Sequence, residues 1–305
     1  MNPRRIEPED VTVIIPTLNE EGGIGWVIDG FKRLGYDNIL VIDGNSTDRT
    51  REIAEEKGAR VIIQTGKGKG QAVAEAFNLV DSEVVVLIDG DGTYDPAEVE
   101  KLLEPIRRGL ADHVMGNRMA NFEPGAFNRL NLIGNRILNW FFRFLYGVKV
   151  HDILTGYRAL TREVYKNVEL DKHGFEIETE LVVETLAKGY RIMEVPITYR
   201  KREGDTKLSP LKDGLRIGRT IFELLTRYNP AKYLYLLGII SMIAGIISGL
   251  YVVYDWMRGI THYLLVTLTA ILVLGGLQLI MFGFVASYLF KMMVDIKRSI
   301  RELEE

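Results

Sequence analysis

The sequence predicts an α/β fold: a mostly parallel sheet flanked by helices, followed by a two-helix membrane hairpin. Three observations carry that prediction. Short β-branched runs alternate with helical patterns through the first third of the chain. Polar, acidic motifs close three of those runs. Two long uncharged stretches lie near the end. The chain has 305 residues, 47% hydrophobic and 26% charged, enough for roughly two domains with their own cores. Disorder and collagen-like structure are thereby excluded. With no cysteine, disulfides, thiolate nucleophiles and zinc–cysteine or iron–sulfur sites are excluded too. A net charge of −3 argues against nucleic acid as a partner.

The strands come first. Val11–Ile15, Asn38–Ile42, Arg60–Ile63 and Glu83–Ile88 are short runs rich in valine and isoleucine, and helical patterns over Gly23–Leu34, Thr47–Lys57 and Gly70–Val80 separate them. Strand, helix, strand at this spacing makes βαβ units, hence parallel pairing. Asp95-Pro96 then offers an N-cap and a first helical residue. Phe127–Gly147 carries Leu130, Ile133, Ile137, Trp140, Phe141, Phe144 and Leu145 at helical spacing, with Arg129, Arg136 and Arg143 between them. That is the pattern of a helix lying in a lipid headgroup plane, against the alternative of an ordinary core helix. Glu176 opens a helix running to Lys188-Gly189, and Leu211–Tyr228 is a second amphipathic segment. Leu234–Tyr254 and Tyr263–Phe290 contain no charge and are each long enough to cross a bilayer, which needs about 20 apolar residues. Two buried helices of a soluble core would show polar residues on an outer face. Both flanks of the pair are basic, while the link between them offers only Arg258, so both ends are expected in the cytoplasm at the cell membrane. Met1–Asp10 is charged, and no signal peptide is expected there.

In parallel sheets, ligands bind beyond the carboxyl ends of the strands. Those ends carry Pro16-Thr-Leu-Asn-Glu20, Asp43-Gly-Asn-Ser-Thr-Asp48 and Asp89-Gly-Asp-Gly-Thr93. In the last, two carboxylates separated by one glycine can both approach a hard cation, and oxygen ligands favour Mg²⁺ or Mn²⁺. A helix-capping turn is the plainer reading, but Asp95 already supplies that cap. An EF-hand loop fits badly, because Tyr94 stands where its glycine belongs. Gly66-Lys-Gly-Lys-Gly70 completes neither a Walker A loop nor a dinucleotide fingerprint. It reads as a turn that offers backbone groups or Lys69 to an anion. The four histidines, 113, 151, 173 and 262, have no metal-ligand spacing. Among the acids opening the 176 helix, Glu176 and Glu180 share a face and Glu178 points elsewhere, which singles out Glu178 for the acceptor site; dipole stabilisation is the simpler role for all three.

Together these motifs, with Gly116-Asn-Arg118, Asp152-Ile-Leu-Thr-Gly-Tyr-Arg158 and Gly204-Asp-Thr-Lys-Leu208, resemble the family-2 glycosyltransferases of GT-A nucleotide-sugar fold. More narrowly, they resemble the polyprenyl-phosphate (dolichol-phosphate) glycosyltransferases. The resemblance runs from about Val11 to Pro210 and implies transfer of a sugar, with inversion, from a nucleotide donor to a lipid phosphate for glycan assembly. It implies that Pro16, Leu18, Glu20, Ile42, Asp43, Lys69, Asp89, Gly90, Asp91 and Thr93 hold the nucleotide sugar. Asp89 and Asp91 would take the metal, Mg²⁺ or Mn²⁺. Asp91, Arg202 and Lys207 would do the electrostatic work of catalysis, and Arg118 and Arg136 would meet the acceptor phosphate. Two departures stand out. Gly44 replaces the second of two adjacent aspartates usual in the family, so base recognition differs. Thr93-Tyr94-Asp95 lacks the glutamine common in mannosyltransferases, which favours UDP-glucose or UDP-N-acetylglucosamine over GDP-mannose.

The expected organisation is a catalytic domain over 1–210, with its interfacial helix at 127–147. A juxtamembrane helix at 211–232, a transmembrane hairpin at 233–290 and a tail at 291–305 follow. Self-association into a homo-oligomer is compatible with it. Three other functions compete. Leu87–Thr93 also fits the Asp-x-Asp-x-Thr of haloacid-dehalogenase-like phosphatases, but that motif belongs on a first strand and needs a later acidic pair. A processive polysaccharide synthase should carry Gln-x-x-Arg-Trp, and none of Trp26, Trp140 or Trp256 follows an arginine. A non-catalytic, membrane-tethered nucleotide-sugar-binding module has less reason to keep Asp89, Asp91, Arg202 and Lys207 together.

Overall fold

The computed structural model describes residues 5–172, 174–202, 210–228 and 230–304. Seven strands, β1 (Val11–Thr17), β2 (Ile39–Asp43), β3 (Arg60–Ile63), β4 (Val84–Leu87), β5 (His113–Phe122), β6 (Arg158–Thr161) and β7 (Ile192–Tyr199), form one sheet in the order β3-β2-β1-β4-β6-β5-β7. The first four pair in parallel, through helices α1 (Ile24–Arg33), α2 (Thr50–Glu56) and α3 (Lys69–Leu79). β6 is antiparallel to both of its neighbours, β4 and β5, whereas β5 and β7 are parallel. The helices that follow are α4 (Val99–Arg107), α5 (Arg129–Tyr146), α6 (Arg162–Asn167), α7 (Ile177–Ala187) and α8 (Pro210–Tyr228), the last of which runs past Ile221.

Strand alternation splits the interior into two layers. Val11, Val13 and Ile15 face α1 and α4, where Val27, Phe31, Leu102 and Ile106 meet them. Ile14, Leu40 and Ile42 face the other way, onto Val73 and Phe77 of α3 and Leu181 of α7. Asp95 caps the turn at Pro96–Glu98, accepting the Ala97 amide at 3.0 Å, as the Asp-Pro pair predicts. In α5 the apolar positions divide. Phe142 and Leu145 are buried, whereas Leu130, Ile133, Ile137, Trp140 and Phe144 are 51–59% exposed along one face. Leu145 therefore belongs to the interior and not to the outward stripe, because it follows Phe144 by one residue and points about 100° away from it.

Contacts divide the chain into two units, Met1–Ile221 and Phe222–Glu305. The second unit holds α9 (Pro230–Met257) and α10 (Tyr263–Glu304), joined by a turn in which Gly259 takes φ +79°. Each contains a 27-residue span long and apolar enough to cross a membrane, and only 11% and 6% of their most apolar windows are buried. The helices touch through small residues. A Cβ on Gly238 would lie 2.8 Å from the Gly276 carbonyl oxygen, and one on Gly276 would lie 2.8 Å from that of Gly238. The hydroxyls of Ser248 and Thr269 meet at 2.8 Å, and Ser241 donates to the Leu272 carbonyl at 2.7 Å. Close backbone approach with hydroxyl hydrogen bonds is how helices associate where no hydrophobic force acts between them.

Candidate active site

The register Thr17↔Asp43 starts the loops after β1 and β2 side by side. Polar side chains then stitch them together: the Asn19 amide donates to Ser46 Oγ, Thr47 to Asn19 Oδ1 and Glu20 to Thr50 Oγ1, each at 2.8 Å. Asn19 and Asn45 take φ of 51° and 67°, a left-handed conformation that asparagine tolerates. Asp43 is fully enclosed. Its carboxylate accepts the Ser46 amide at 2.8 Å and the Ser46 and Thr17 hydroxyls. Its visible work is thus to shape the loop, and Ile42 lies wholly in the core. Leu18 is 44% exposed on the same loop, and Pro16 lines a small cavity beside Lys69.

The loop after β4 brings in Asp89, Gly90 and Asp91. A Cβ on Gly23 would lie 2.5 Å from the Asp91 carbonyl carbon, and one on Gly90 would lie 2.7 Å from Thr17 Cγ2. Glycine at both places lets the acidic loop nest against β1 and the start of α1. Asp91 Oδ1 accepts the Thr93 amide at 3.1 Å and the Thr93 hydroxyl at 2.6 Å, leaving Oδ2 to face outward from this turn.

Both carboxylates meet cations. Lys69, the first residue of α3, lies 2.5 Å from Asp89 Oδ1 and 2.7 Å from Glu178 Oε1. Burial alone would lower the Lys69 pKa, but Asp89 and Glu178 outweigh it and raise it, so the ammonium stays charged. Its loop is fixed by Glu75, which accepts the Thr65 and Gly66 amides, the Thr65 hydroxyl and the Gln71 amide. The backbone donors of Thr65 and Gly66 are therefore spent inside the protein, and Lys69 is what this loop presents to the site. Glu178 stands with Lys69 and Asp89, not beside Arg118; its Oε2 is buried without a hydrogen-bond partner among the described residues, as is Arg158 Nη1. Both residues line a cavity with room for about one water, about 10 Å³. Burial pushes the Arg158 guanidinium down to about 10.

Arg202 reaches Asp91 because β7 is tied to the acidic loop. Tyr199 bridges Tyr94, and the Arg200 amide donates to the Thr93 carbonyl at 2.8 Å. Two residues on, Arg202 donates through Nη1 to Asp91 Oδ2 at 2.8 Å and through Nη2 to both oxygens of Glu20 at 2.7 and 2.9 Å. Lys207, with the Gly204–Leu208 motif, lies outside the described residues, and so does His173.

Arg118 is held in the middle of β5, where the pairing with β7 shifts register after Asn117. Its Nε and Nη2 grip Asp152 at 2.7 and 2.8 Å, and the rings of Phe127 and Tyr199 lie within 5.6 and 5.2 Å of its guanidinium carbon. Nη1 and the second N–H of Nη2 have no hydrogen bond among the described residues. Arg136 is exposed on α5, beside Asn135, whose amide reaches Met119 Sδ at 3.9 Å. That contact joins α5 to β5, the strand that carries Arg118.

Several residues of the site went unassigned in the sequence. A Cβ on Gly156 would come within 2.5 Å of Asp89 Oδ2, so only glycine admits that carboxylate. Tyr94 Oη accepts the Gly156 amide at 2.8 Å, and Glu194 accepts the His151 and Asp152 amides, also at 2.8 Å, which sets Asp152 under Arg118. The Asp152–Arg158 motif was the available signal. Its spatial partner was hidden because β6 inserts antiparallel beside β4, pairing Arg158 with Leu87.

Among the described residues no three acidic or histidine side chains cluster around a single point. A divalent ion here would have Asp91 Oδ2 and Asp89 as protein ligands and take the rest of its shell from diphosphate and water, the habit of Mg²⁺ and of Mn²⁺ in oxygen sites. The donor set fits.

The rim of this mostly parallel sheet thus carries an acidic pair met by two cations, Lys69 of α3 and Arg202 from the chain after β7. The chain belongs to glycosyl transferase family 2, whose domain matches residues 12–169. It is 42% identical to the glycosyltransferase AglJ of Haloferax volcanii over 301 residues, 97% of this chain and 99% of that one. It is 40% identical to a dolichyl-phosphate hexose transferase of the same organism over 220 residues, 71% of this chain and 94% of that one. Among solved structures, glucosyl-3-phosphoglycerate synthase from Mycobacterium tuberculosis, in complex with Mn²⁺ and UDP-glucose, matches with a TM-score of 0.59. The identity is 26%, over 72% of this chain and 78% of that one.

Proposed function

We propose that this glycosyltransferase moves a hexose from a nucleotide sugar to a polyprenyl or dolichyl phosphate. UDP-glucose or UDP-N-acetylglucosamine is favoured over GDP-mannose. The observation that carries the reading is the pairing of Asp91 with Arg202 at the rim, 2.8 Å apart, a carboxylate suited to a divalent ion beside a guanidinium suited to a diphosphate. The dolichyl-phosphate relative supports the acceptor, and the UDP-glucose complex of the solved relative supports donor and metal.

In this reading an oxygen of the lipid phosphate attacks the anomeric carbon while the bond from that carbon to the diphosphate oxygen breaks. The electron pair leaves with the nucleoside diphosphate, and the configuration inverts. The phosphate is already an anion at neutral pH, so no side chain needs to remove a proton. The leaving group is the harder problem. A divalent ion at Asp89 and Asp91 would supply charge stabilisation to the departing diphosphate. Arg202 adds a cation from the chain leading out of β7, and Lys207, which follows in the sequence, is proposed to add another. Lys69 keeps Asp89 neutralised and oriented. Arg118 offers Nη1 to the acceptor phosphate from a guanidinium already fixed by Asp152, and Arg136 adds a second charge from α5. The outward stripe of α5 is proposed to rest on lipid headgroups, and the α9–α10 hairpin to anchor the chain in the membrane with both ends cytoplasmic.

The test is a donor panel. Purified full-length protein in detergent is given a short polyprenyl phosphate, Mg²⁺ or Mn²⁺, and UDP- or GDP-sugars in turn. A lipid-linked product is expected with a UDP-hexose, and its absence with every donor overturns the reading.

A further inference from the structure

The two cations at the metal motif are not equivalent. Lys69 is enclosed between Asp89 and Glu178 and springs from a helix whose entry loop Glu75 holds. Arg202 comes from the chain that leads out of β7, and it spans Asp91 Oδ2 and Glu20. Asp91 Oδ1 is spent on the Thr93 amide and hydroxyl. Oδ2 is therefore the oxygen of Asp91 that an incoming cation can use, and Arg202 Nη1 sits on it at 2.8 Å. Arg202 Nε, meanwhile, is buried without a hydrogen-bond partner among the described residues, a donor suited to an anion.

We propose that Arg202 competes with the divalent ion for Asp91 Oδ2, so that metal binds tightly only together with a nucleotide diphosphate. A dication and a guanidinium crowded onto one oxygen repel each other. A diphosphate removes the conflict. It contributes the negative charge both cations need, and its oxygens suit the planar fork of arginine. Arg202 then passes from Asp91 to the phosphates as the ion takes Oδ2, which couples metal loading to the donor. Lys69 also touches a proposed metal ligand, Asp89, but it is held by Glu178 Oε1 at 2.7 Å as well, whereas Arg202 lies on the one oxygen of Asp91 that Thr93 leaves open. The inference rests on the proposed placement of a divalent ion at Asp91.

The test measures Mn²⁺ binding by the free-ion electron paramagnetic resonance signal. Full-length protein in detergent is titrated alone and with UDP or GDP. Wild type is expected to bind Mn²⁺ weakly alone and far more tightly with UDP. Arg202→Gln should bind Mn²⁺ alone roughly ten- to a hundred-fold more tightly than wild type, the scale of one charged hydrogen bond given up. Arg202→Met is a second neutral variant should the first not fold, and Arg202→Lys, which keeps the charge, should stay near wild type. If neutral variants gain no nucleotide-free affinity, or Arg202→Lys gains as much as they do, competition is wrong although the metal site stands. Mn²⁺ bound by no form, even with UDP or GDP, overturns the metal site and the competition together.

Discussion

At the scale of single residues, the site depends on atoms that must be missing as much as on atoms that are present. Gly156 is the sharpest case, because a methyl group there would intrude to 2.5 Å from Asp89 Oδ2. Gly156→Ala should therefore shift Asp89 and lower transfer by about one to two decades while far-ultraviolet circular dichroism stays unchanged. Transfer kinetics beside the spectrum check it, and an unimpaired variant would show that Asp89 need not be held there. His113 bears on stability. Burial, and then Arg158, hold its pKa well below the ordinary 6.5, while Nδ1 meets the Thr185 hydroxyl at 3.0 Å. Above pH 6.5 the imidazole is neutral in both folded and unfolded chains. Below it the unfolded chain takes the proton first, so stability falls, by up to about 1.4 kcal/mol per pH unit, until the folded pKa is reached. Urea unfolding at pH 7 and pH 5 should show that loss, and His113→Gln should reduce it. Asp89 and Asp91 were legible in the sequence because two carboxylates sit at one strand end. Gly156 and Asp152 were not, since nothing in linear spacing ties them to Asp89 and Arg118.

At the scale of elements, β1 to β4 were readable to within about two residues, because valine and isoleucine runs bounded by turns have one good solution. β5, β6 and β7 were not assigned. His113–Phe122 mixes Gly116, Asn117 and Arg118 into its run, and Ile192–Tyr199 carries Glu194 and Pro196, which an edge strand tolerates and a central one does not. Those strands matter most for the site, since β5 supports Arg118 and β7 delivers Arg202. The hairpin was plain from composition, but its contact face was not: the glycines and hydroxyls that meet are a minority in two apolar runs. The cysteine-free chain allows a clean check. With Ser248 and Thr269 hydroxyls 2.8 Å apart, a Ser248→Cys/Thr269→Cys pair should form a disulfide on mild oxidation, read as a two-hydrogen mass loss. Failure to cross-link in a folded protein would mean that α9 and α10 meet through other faces.

At the scale of the whole molecule, each unit has its own logic. Met1–Ile221 carries the sheet, the acidic rim and the cations that meet it, and Phe222–Glu305 carries two apolar spans few of whose residues are buried. The two spans were legible in the sequence because charge disappears for the length of each. Sequence reading also placed the chain among lipid-phosphate glycosyltransferases on motifs scattered from Pro16 to Leu208, and the family match covers residues 12–169 of that stretch. The acceptor is where the proposed activity departs from that of the solved relative. The solved relative is a glucosyl-3-phosphoglycerate synthase, whose name gives a water-soluble phosphate. The central measurement is therefore a direct competition: one preparation of full-length protein, one UDP-hexose, and equal concentrations of a short polyprenyl phosphate and 3-phosphoglycerate, with both products quantified. The account predicts glycosylated polyprenyl phosphate in large excess, and loss of that product in Asp91→Asn. Preferential glycosylation of 3-phosphoglycerate would contradict it.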